Sequence, residues 1–338
     1  MAERAAADRH VPVMRDRCVD LLVGRLREFA EAGETPVIID ATLGMGGHAE
    51  AVLASPQAEE SGTVVLGLDR DPEALSLAEE RLGRFGDRFR GVHTVYDQVD
   101  EVAERHSGSG MRLIGVLFDL GVSSLQLDET GRGFAYSYDA PLDMRMNAGD
   151  GSPDRTAAEL LAQASETELR EIIRGYGEER FAGRIASAIV ARRGREPLTT
   201  TAQLAQVVDS AVPAAVKRRG GHPAKRTFQA LRIAVNQELE VLERALPRAL
   251  DAVAAGGRVV VLSYHSLEDR MVKRAFAART TSSAPAGLPV ELEEHRPTFR
   301  ALTRGAETPE AQEIETNPRA ASAKLRAAEK IGPVRSQG

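Results

Sequence analysis

The fold class follows from residues 37–48, which read VIIDATLGMGGH. The three β-branched residues at the start form an apolar run typical of a strand covered on both faces of a parallel sheet. Clustered glycines come next, and a helix is predicted from His48 to Leu53. A strand, a glycine-rich turn and a helix in this order are typical of the nucleotide-binding turn of a doubly wound sheet. The sequence therefore predicts an α/β domain.

Three further apolar runs support a parallel sheet, namely Val64–Leu68, Leu113–Phe118 and Arg258–Leu262. A helix is predicted over Pro72–Leu82, because proline is favoured at the first helical position. This βαβ alternation is typical of a doubly wound sheet. By its position along the chain, Leu113–Phe118 is predicted to be the fourth strand of that sheet.

The alternation stops after Asp119, and the following region carries helical periodicity without a convincing strand. The predicted helices are Glu166–Ile173, Arg180–Arg192, Thr201–Val208 and Phe228–Leu250. We therefore expect an α/β domain in two parts, residues 1–121 and 216–338, interrupted by a helical insertion at residues 122–215.

Composition excludes several protein classes. Of the 338 residues, 42% are hydrophobic and 28% are charged, as in ordinary globular enzymes. Because Cys18 is the single cysteine, the chain has no disulfide framework and no thiolate metal site. No histidine pair has close ligand spacing, so no metal is predicted. The chain shows neither a membrane-spanning apolar run nor a signal peptide, and we expect a cytoplasmic protein.

The net charge is −6, yet one segment is strongly basic. Between residues 184 and 232 only Glu196 and Asp209 are acidic. The basic residues there are Arg184, Arg192, Arg193, Arg195, Lys217, Arg218, Arg219, Lys225, Arg226 and Arg232. This density fits either a phosphate-binding surface or a set of solvated helix faces.

The glycine turn and Asp69 indicate a nucleotide cofactor. Asp69 ends the second predicted strand, where a carboxylate can accept the ribose hydroxyls of an adenosine. Gly44, Gly46 and Ala49 also fit the dinucleotide fingerprint, so NAD remains an alternative. A methyl donor derived from methionine has no pyrophosphate, and it therefore tolerates the acidic Asp40 just before the turn. Asp40 favours the methyl donor.

Longer motifs extend over nearly the whole chain. They are DLGVSSLQLD at 119–128, RGF at 132–134, PLDMRM at 141–146, YGEERF at 176–181, FQALRIAVN at 228–236, HSLEDR at 265–270 and NPRA at 317–320. Together they resemble the ribosomal RNA small-subunit methyltransferase H family, also called MraW. The resemblance runs from about residue 10 to about residue 329.

This resemblance implies a Rossmann-like class I methyltransferase sheet with a helical substrate-recognition insertion. The implied reaction is S-adenosylmethionine-dependent N4-methylation of a cytidine in the decoding centre of 16S ribosomal RNA. The partner would be small-subunit rRNA within the 30S subunit. The oligomeric state of the protein, monomer or homodimer, is left open. The residues that match the family's cofactor contacts are Gly46, Gly47, His48, Asp69, Tyr96, Asp119 and Gln126. Tyr264 departs from the family, which usually has phenylalanine there.

The cytosine amine is a poor nucleophile, because its lone pair is delocalised into the ring. A hydrogen-bond acceptor would help the nitrogen to react and would receive its proton. Asp119 is the first candidate, with pure cofactor binding as the alternative. His265 and Glu268 are further catalytic candidates, with an N-cap and a surface charge as their alternatives. No motif requires a metal.

The target base has to be unstacked and held, and the phosphates beside it have to be bound. The substrate-binding candidates are Arg132, Phe134, Asp143, Arg145, Arg192 and Arg193. Packing of a loop is the alternative for Phe134.

Three other functions compete with this interpretation. The glycine turn alone permits a nicotinamide-dependent oxidoreductase. A non-enzymatic RNA-binding or ribosome-assembly factor could retain the same fold. A methyltransferase acting on DNA or on a small molecule would share the cofactor residues.

Overall fold

The computed structural model describes residues 11–106, 108, 110–128, 130–147, 154–214, 222–285 and 292–332. Lys217, Arg218 and Arg219 of the basic segment lie outside these ranges. The chain forms two compact units, one of residues 1–121 with 240–338 and one of residues 122–239.

The first unit contains a seven-stranded sheet. Its strands are β1 (Thr35–Asp40), β2 (Val64–Asp69), β3 (Phe89–His93), β4 (Met111–Asp119), β5 (Arg258–Ser263), β6 (Phe299–Ala301) and β7 (Lys324–Lys330). The order is β3-β2-β1-β4-β5-β7-β6. β1 to β5 pair in parallel, and β7 runs antiparallel to both β5 and β6. An antiparallel strand inserted before β6 distinguishes this sheet from the dinucleotide-binding order 3-2-1-4-5-6.

Apolar side chains cover both faces of this sheet. Val37 and Ile39 belong to one buried cluster, together with Leu246 of the helix Glu238–Ala252. Ile38 belongs to the other cluster, together with Leu22 of the helix Arg15–Val23. Because successive strand residues point to opposite faces, both faces of β1 are buried, as the continuous apolar run predicted.

The remaining helices of the first unit lie between or after the strands. They are Leu26–Glu31, Gly47–Leu53, Pro56–Glu60, Pro72–Leu82, Val99–His106, Ser266–Thr280 and Ala311–Thr316. Pro72–Leu82 begins where predicted, because Asp71 caps it by accepting the Glu73 amide at 3.1 Å. No helix among the described residues is long and apolar enough to cross a membrane.

The second unit is helical around its own core. Its helices are Ser124–Asp128, Ala157–Gln163, Glu166–Gly175, Ala182–Arg193, Thr201–Ala211 and Ala224–Asn236. Ile185, Leu204 and Leu231 share one buried cluster. The unit reaches residue 239 rather than the predicted 215, because Ala224–Asn236 contributes Leu231 to that cluster.

The prediction of one helix over Phe228–Leu250 is wrong. Gln237 adopts a left-handed conformation with φ 52°, which separates Ala224–Asn236 from Glu238–Ala252. The buried side chain of Asn236 accepts the Met146 amide at 2.7 Å and donates to the Met144 carbonyl at 2.8 Å. The apolar periodicity continues across this break, so the sequence pattern does not reveal it.

Candidate active site

The turn after β1 is tied to the end of β2. Asp69 Oδ2 accepts the Gly44 amide at 2.8 Å, and Asp69 Oδ1 accepts the Asp71 amide at 2.8 Å. Burial raises the pKa of Asp69, and the two amide bonds oppose that rise. The carboxylate therefore lies at the carboxyl edge of the sheet beside the glycine turn, as the sequence predicted.

The glycines of this turn satisfy steric demands of the protein itself. Gly46 has φ +77°, and a Cβ there would lie 2.8 Å from Leu82 Cδ1. A Cβ at Gly47 would lie 2.5 Å from Pro12 Cγ. Both positions therefore need glycine for the turn and for close packing against apolar side chains.

Asp119 ends β4 and contacts residues of the same turn. Its amide donates to Thr42 Oγ1 at 2.6 Å. Its Oδ2 lies 3.5 Å from His48 Nδ1, and its Oδ1 accepts the Tyr264 hydroxyl at 2.6 Å. The Asp119 side chain is 24% exposed, so it is accessible while its position is defined.

His48 is held in one orientation. Its ring is buried, and Nε2 lies 3.1 Å from the carbonyl oxygen of Val13. A carbonyl oxygen can only accept, so Nε2 carries a hydrogen. Nδ1 is thereby directed towards Asp119, with 3.5 Å between Nδ1 and Oδ2.

Three carboxylates gather at this edge of the sheet. Burial raises the pKa of Asp40 to about 6, with smaller contributions from Asp119 and Asp69, while His48 opposes the rise. Asp40 is 2% exposed and accepts only weakly from the Thr42 amide at 3.3 Å. Such an edge favours a cationic ligand over an additional anion.

The two remaining cofactor candidates lie in different units. Tyr96 follows β3, and its ring packs edge-on against Phe118 of β4, with 5.7 Å between ring centroids. Gln126 is buried in the helical unit, where its Oε1 accepts the Ser123 amide at 3.0 Å. Tyr96 is therefore anchored at the same sheet, and Gln126 organises its own loop.

His265 and Glu268 form the start of the helix Ser266–Thr280. The His265 ring accepts the Glu268 amide, and Glu268 Oε2 accepts the Tyr264 amide at 2.8 Å and the His265 amide at 3.3 Å. Glu268 is 2% exposed. These contacts make His265 the N-cap of the helix, which is one of the alternatives given for it. Glu268 is buried, so the alternative of a surface charge does not describe it.

Two substrate candidates are buried within the helical unit. Arg132 donates through Nη2 to the carbonyls of Met146 at 2.8 Å and Arg145 at 3.3 Å. Phe134 belongs to the core of that unit. Both residues stabilise the loop in which they lie, as the packing alternative for Phe134 predicted.

Of the other four substrate candidates, Asp143, Arg145 and Arg192 form local ion pairs, whereas Arg193 binds backbone carbonyls of another helix. Arg145 binds Asp143 through two bonds of 2.8 Å, which lower the pKa of Asp143 although burial opposes this. Arg192 Nη2 lies 2.7 Å from Glu196 Oε2. Arg193 Nη1 donates to the carbonyls of Ala164 and Leu161, and it therefore caps the end of a neighbouring helix.

Sequence reasoning assigned no role to Thr42 or Tyr264. Thr42 lies in the turn after Asp40, and its hydroxyl oxygen accepts a hydrogen bond from the Asp119 amide. Tyr264 differs from the family's usual phenylalanine by the hydroxyl that binds Asp119. That single departure was the only signal available in the sequence.

Comparison with known proteins identifies the family. Residues 7–331 match the MraW methylase family. The chain belongs to the MraW methylase family. It is 60% identical to the ribosomal RNA small subunit methyltransferase H of Beutenbergia cavernae, with 96% of this chain and 94% of the relative covered. The corresponding protein of Pseudarthrobacter chlorophenolicus is 57% identical, with 97% of each chain covered.

Solved structures resemble this MraW methylase less closely. An rRNA methylase from Streptococcus thermophilus is 11% identical, with 91% of this chain and 95% of that chain covered and a TM-score of 0.38. The strand order of this chain itself defines its fold. That order is a Rossmann-like α/β sheet, as predicted.

The methyl donor of this MraW methylase is S-adenosylmethionine, and the residues present fit it. Asp69 accepts backbone amides on both oxygens, and the lone pairs of a carboxylate allow a further bond, such as one from a ribose hydroxyl. Asp40, Asp69 and Asp119 complement the positive charge of a sulfonium. The buried Asp40 fits the pyrophosphate of NAD poorly.

Proposed function

We propose that this chain methylates N4 of a cytidine in the decoding centre of 16S ribosomal RNA. The observation that carries this proposal is the 60% identity, over 96% of the chain, to a relative named ribosomal RNA small subunit methyltransferase H. The cytidine and its N4 atom come from the family resemblance of the sequence motifs. A cytoplasmic enzyme acting on the 30S subunit is part of the same proposal.

When bound, S-adenosylmethionine supplies a methyl group already activated on a sulfonium sulfur. The chain then has to orient the amine and to accept a proton. The cofactor would supply the methyl group of the new nitrogen–carbon bond and would leave as a neutral thioether. The nitrogen is left with one proton in excess.

Asp119 is the proposed acceptor of that proton. It lies at the carboxyl end of β4, where ligands bind in open α/β sheets. It is partly exposed, and the Tyr264 hydroxyl binds one oxygen of its carboxylate. By contrast, His265 and Glu268 are engaged in a capping box, so we do not propose them as acceptors.

The helical unit is the proposed RNA-binding part. Arg145 and Arg192 carry guanidinium groups that are only partly buried, and both are proposed to contact phosphates. Arg132, Phe134 and Arg193 are proposed to support that surface indirectly, because their side chains bind or pack inside the unit.

The decisive experiment compares three potential substrates under identical conditions. Purified protein and labelled S-adenosylmethionine are incubated with 30S subunits, with naked 16S rRNA and with DNA of matched length. The subunits and the rRNA come from cells lacking the gene. Nucleoside mass spectrometry should find N4-methylcytidine in ribosomal RNA only. Methylation of DNA alone, or of no nucleic acid, would overturn the proposal.

Binding measurements separate the remaining rivals. The protein should bind S-adenosylhomocysteine and show no comparable affinity for NAD. Tight NAD binding without S-adenosylhomocysteine binding would favour an oxidoreductase. Binding of ribosomal RNA without any methyl transfer would favour an assembly factor.

A further inference from the structure

Tyr264 is placed so that its hydroxyl reaches the end of β4. It follows β5, whose Leu262 pairs with Asp119 in the parallel ladder. The Tyr264 hydroxyl donates to Asp119 Oδ1 at 2.6 Å. Burial raises the pKa of Tyr264 well above its ordinary value, and the Asp119 carboxylate adds to this effect. The phenol therefore keeps its proton and acts as the donor.

The backbone and the ring of Tyr264 are both fixed. Its amide donates to Glu268 Oε2 at 2.8 Å, so the residue that closes the capping box of the following helix also holds the backbone of Tyr264. Its ring lies against Gly121, where a Cβ would be 3.4 Å from Tyr264 Cδ2. Gly121 has φ +97°. The capping box of His265 and Glu268 therefore helps to position Tyr264, and Tyr264 in turn binds Asp119.

The opposite side of the Asp119 carboxylate faces His48. His48 Nδ1 lies 3.5 Å from Asp119 Oδ2, and the bond from Nε2 to Val13 fixes the imidazole. Among the described residues, Asp40 and Cys18 are further titratable groups that interact electrostatically with Asp119. The hydrogen bond from the Tyr264 hydroxyl to Oδ1 limits rotation of the Asp119 carboxylate. Each oxygen has two lone pairs, so an amine can still bind.

We propose that Tyr264 is a positioning residue that fixes Asp119 and favours its ionised form, so that Asp119 can receive the proton released during methyl transfer. This inference rests on the proposed function. It assigns Tyr264 no contact with the substrate or the cofactor. The hydroxyl contributes through Asp119, because a donor to a carboxylate stabilises the charged form.

The test compares Tyr264→Phe with Ser263→Ala. Phenylalanine removes the bond to Asp119 and keeps the ring. Alanine at 263 removes a different hydroxyl at the same strand end, the one that donates to the Lys324 carbonyl at 3.3 Å. For Tyr264→Phe we expect kcat on 30S subunits to fall about tenfold, with KM and the affinity for S-adenosylhomocysteine changed by less than about threefold. Ser263→Ala should keep the wild-type kcat.

The pH dependence gives a readout that a structural role would not change. The acidic limb of the kcat profile should move to higher pH in Tyr264→Phe by about half a unit or more. Tyr264→3-fluorotyrosine keeps the ring, makes the phenol a stronger donor and should move the limb to lower pH. Opposite shifts in two folded variants separate the effect of the bond from general destabilisation. Equal kcat and an unmoved profile in Tyr264→Phe would overturn the inference.

A titration that needs no activity keeps this inference distinguishable from the proposed function. The carboxyl carbon of Asp119 is followed by 13C NMR in protein labelled at aspartate, with Asp119→Asn identifying its signal. Its midpoint should be higher in Tyr264→Phe than in wild type. If wild-type protein methylates no ribosomal RNA, the proposed function fails and this titration alone decides the role of Tyr264. Identical midpoints would refute it.

Discussion

The Gly44 amide donates to Asp69 Oδ2 at 2.8 Å, so the turn after β1 and the end of β2 are fixed relative to each other. Asp69 also accepts the Asp71 amide, which starts the helix Pro72–Leu82. One carboxylate therefore defines the edge at which the proposed ribose binds.

Asp69→Ala should raise the dissociation constant of S-adenosylhomocysteine at least tenfold, since the proposed acceptor of the ribose hydroxyls and the bond to Gly44 that orders the turn are lost, at about 1–3 kcal/mol each. Isothermal titration calorimetry measures the affinity, and circular dichroism verifies that the variant is folded. The exposed Asp16→Asn is the control. An affinity equal to wild type in folded Asp69→Ala would remove Asp69 from the cofactor site.

Asp119→Asn should lower kcat on 30S subunits by about 100-fold or more, because an amide cannot take up the proton of the amine. The affinity for S-adenosylhomocysteine should change much less, since the Asn carbonyl can still accept the Tyr264 hydroxyl. Single-turnover kinetics with labelled donor measure the rate. A large loss of cofactor affinity with an unchanged rate at saturation would indicate a binding role instead.

Asp40 should make folding depend on pH. Its folded pKa of about 6 lies above the ordinary value of 3.8, so the folded state favours the protonated form. This contribution to stability is fully present below about pH 4 and is lost as pH rises through 6. The unfolding free energy of wild type, relative to Asp40→Asn, should therefore fall by up to about 3 kcal/mol between pH 4 and pH 7. Urea unfolding at several pH values checks this, and parallel curves for the two proteins would contradict it.

Glu329 of β7 is 3% exposed and is contacted by Arg25, Arg258 and Arg300. Glu329→Gln leaves the mostly buried Arg258 guanidinium without its counter-charge, whereas Arg25 and Arg300 reach solvent, and we expect a loss of about 3 kcal/mol of unfolding free energy. Glu31→Gln, which breaks the exposed pair with Arg27, should hardly change stability. Chemical denaturation of the two variants makes the comparison. Equal stabilities would show that the buried cluster contributes no more than a surface pair.

Arg193 and Arg195 should behave differently although both belong to the basic segment. Arg193 binds the carbonyls of Ala164 and Leu161, so Arg193→Ala should lower the thermal midpoint of the protein by several degrees. Arg195 is exposed, and Arg195→Ala should weaken RNA binding without changing that midpoint. Filter binding at two salt concentrations and thermal unfolding distinguish them. RNA affinity unchanged in Arg195→Ala would remove it from the proposed surface.

Local signals explain which elements the sequence predicts. The four apolar runs correspond to β1, β2, β4 and β5, and Pro72–Leu82 is bounded by its own cap and proline. The sequence implies a third strand before Leu113–Phe118 but does not locate it. The residues of β3 are largely exposed or half-buried, so they form no apolar run. β7 carries Lys324, Arg326 and Glu329, whose partners are far away in sequence. No local pattern predicts such a strand.

The residues of the candidate site also differ in how far the sequence predicts them. Asp69 and Asp119 are predictable, because strand ends of a parallel sheet meet at one edge. The pairing of Tyr264 with Asp119 spans 145 positions and depends on β5 lying beside β4. As an arginine in a basic segment, Arg193 is predicted to bind phosphate. Its structural role is apparent only from its hydrogen bonds to the carbonyls of Ala164 and Leu161.

The position of β7 affects the order in which the chain can fold during synthesis. Among the described residues β7 follows β5 and β6 in sequence, yet it lies between them in the sheet. Until residues 324–330 leave the ribosome, the newly made β5 exposes an unpaired apolar edge and β6 has no neighbour. The sheet is completed only when residues 324–330 have emerged, and until then the unpaired edge of β5 can associate with other chains.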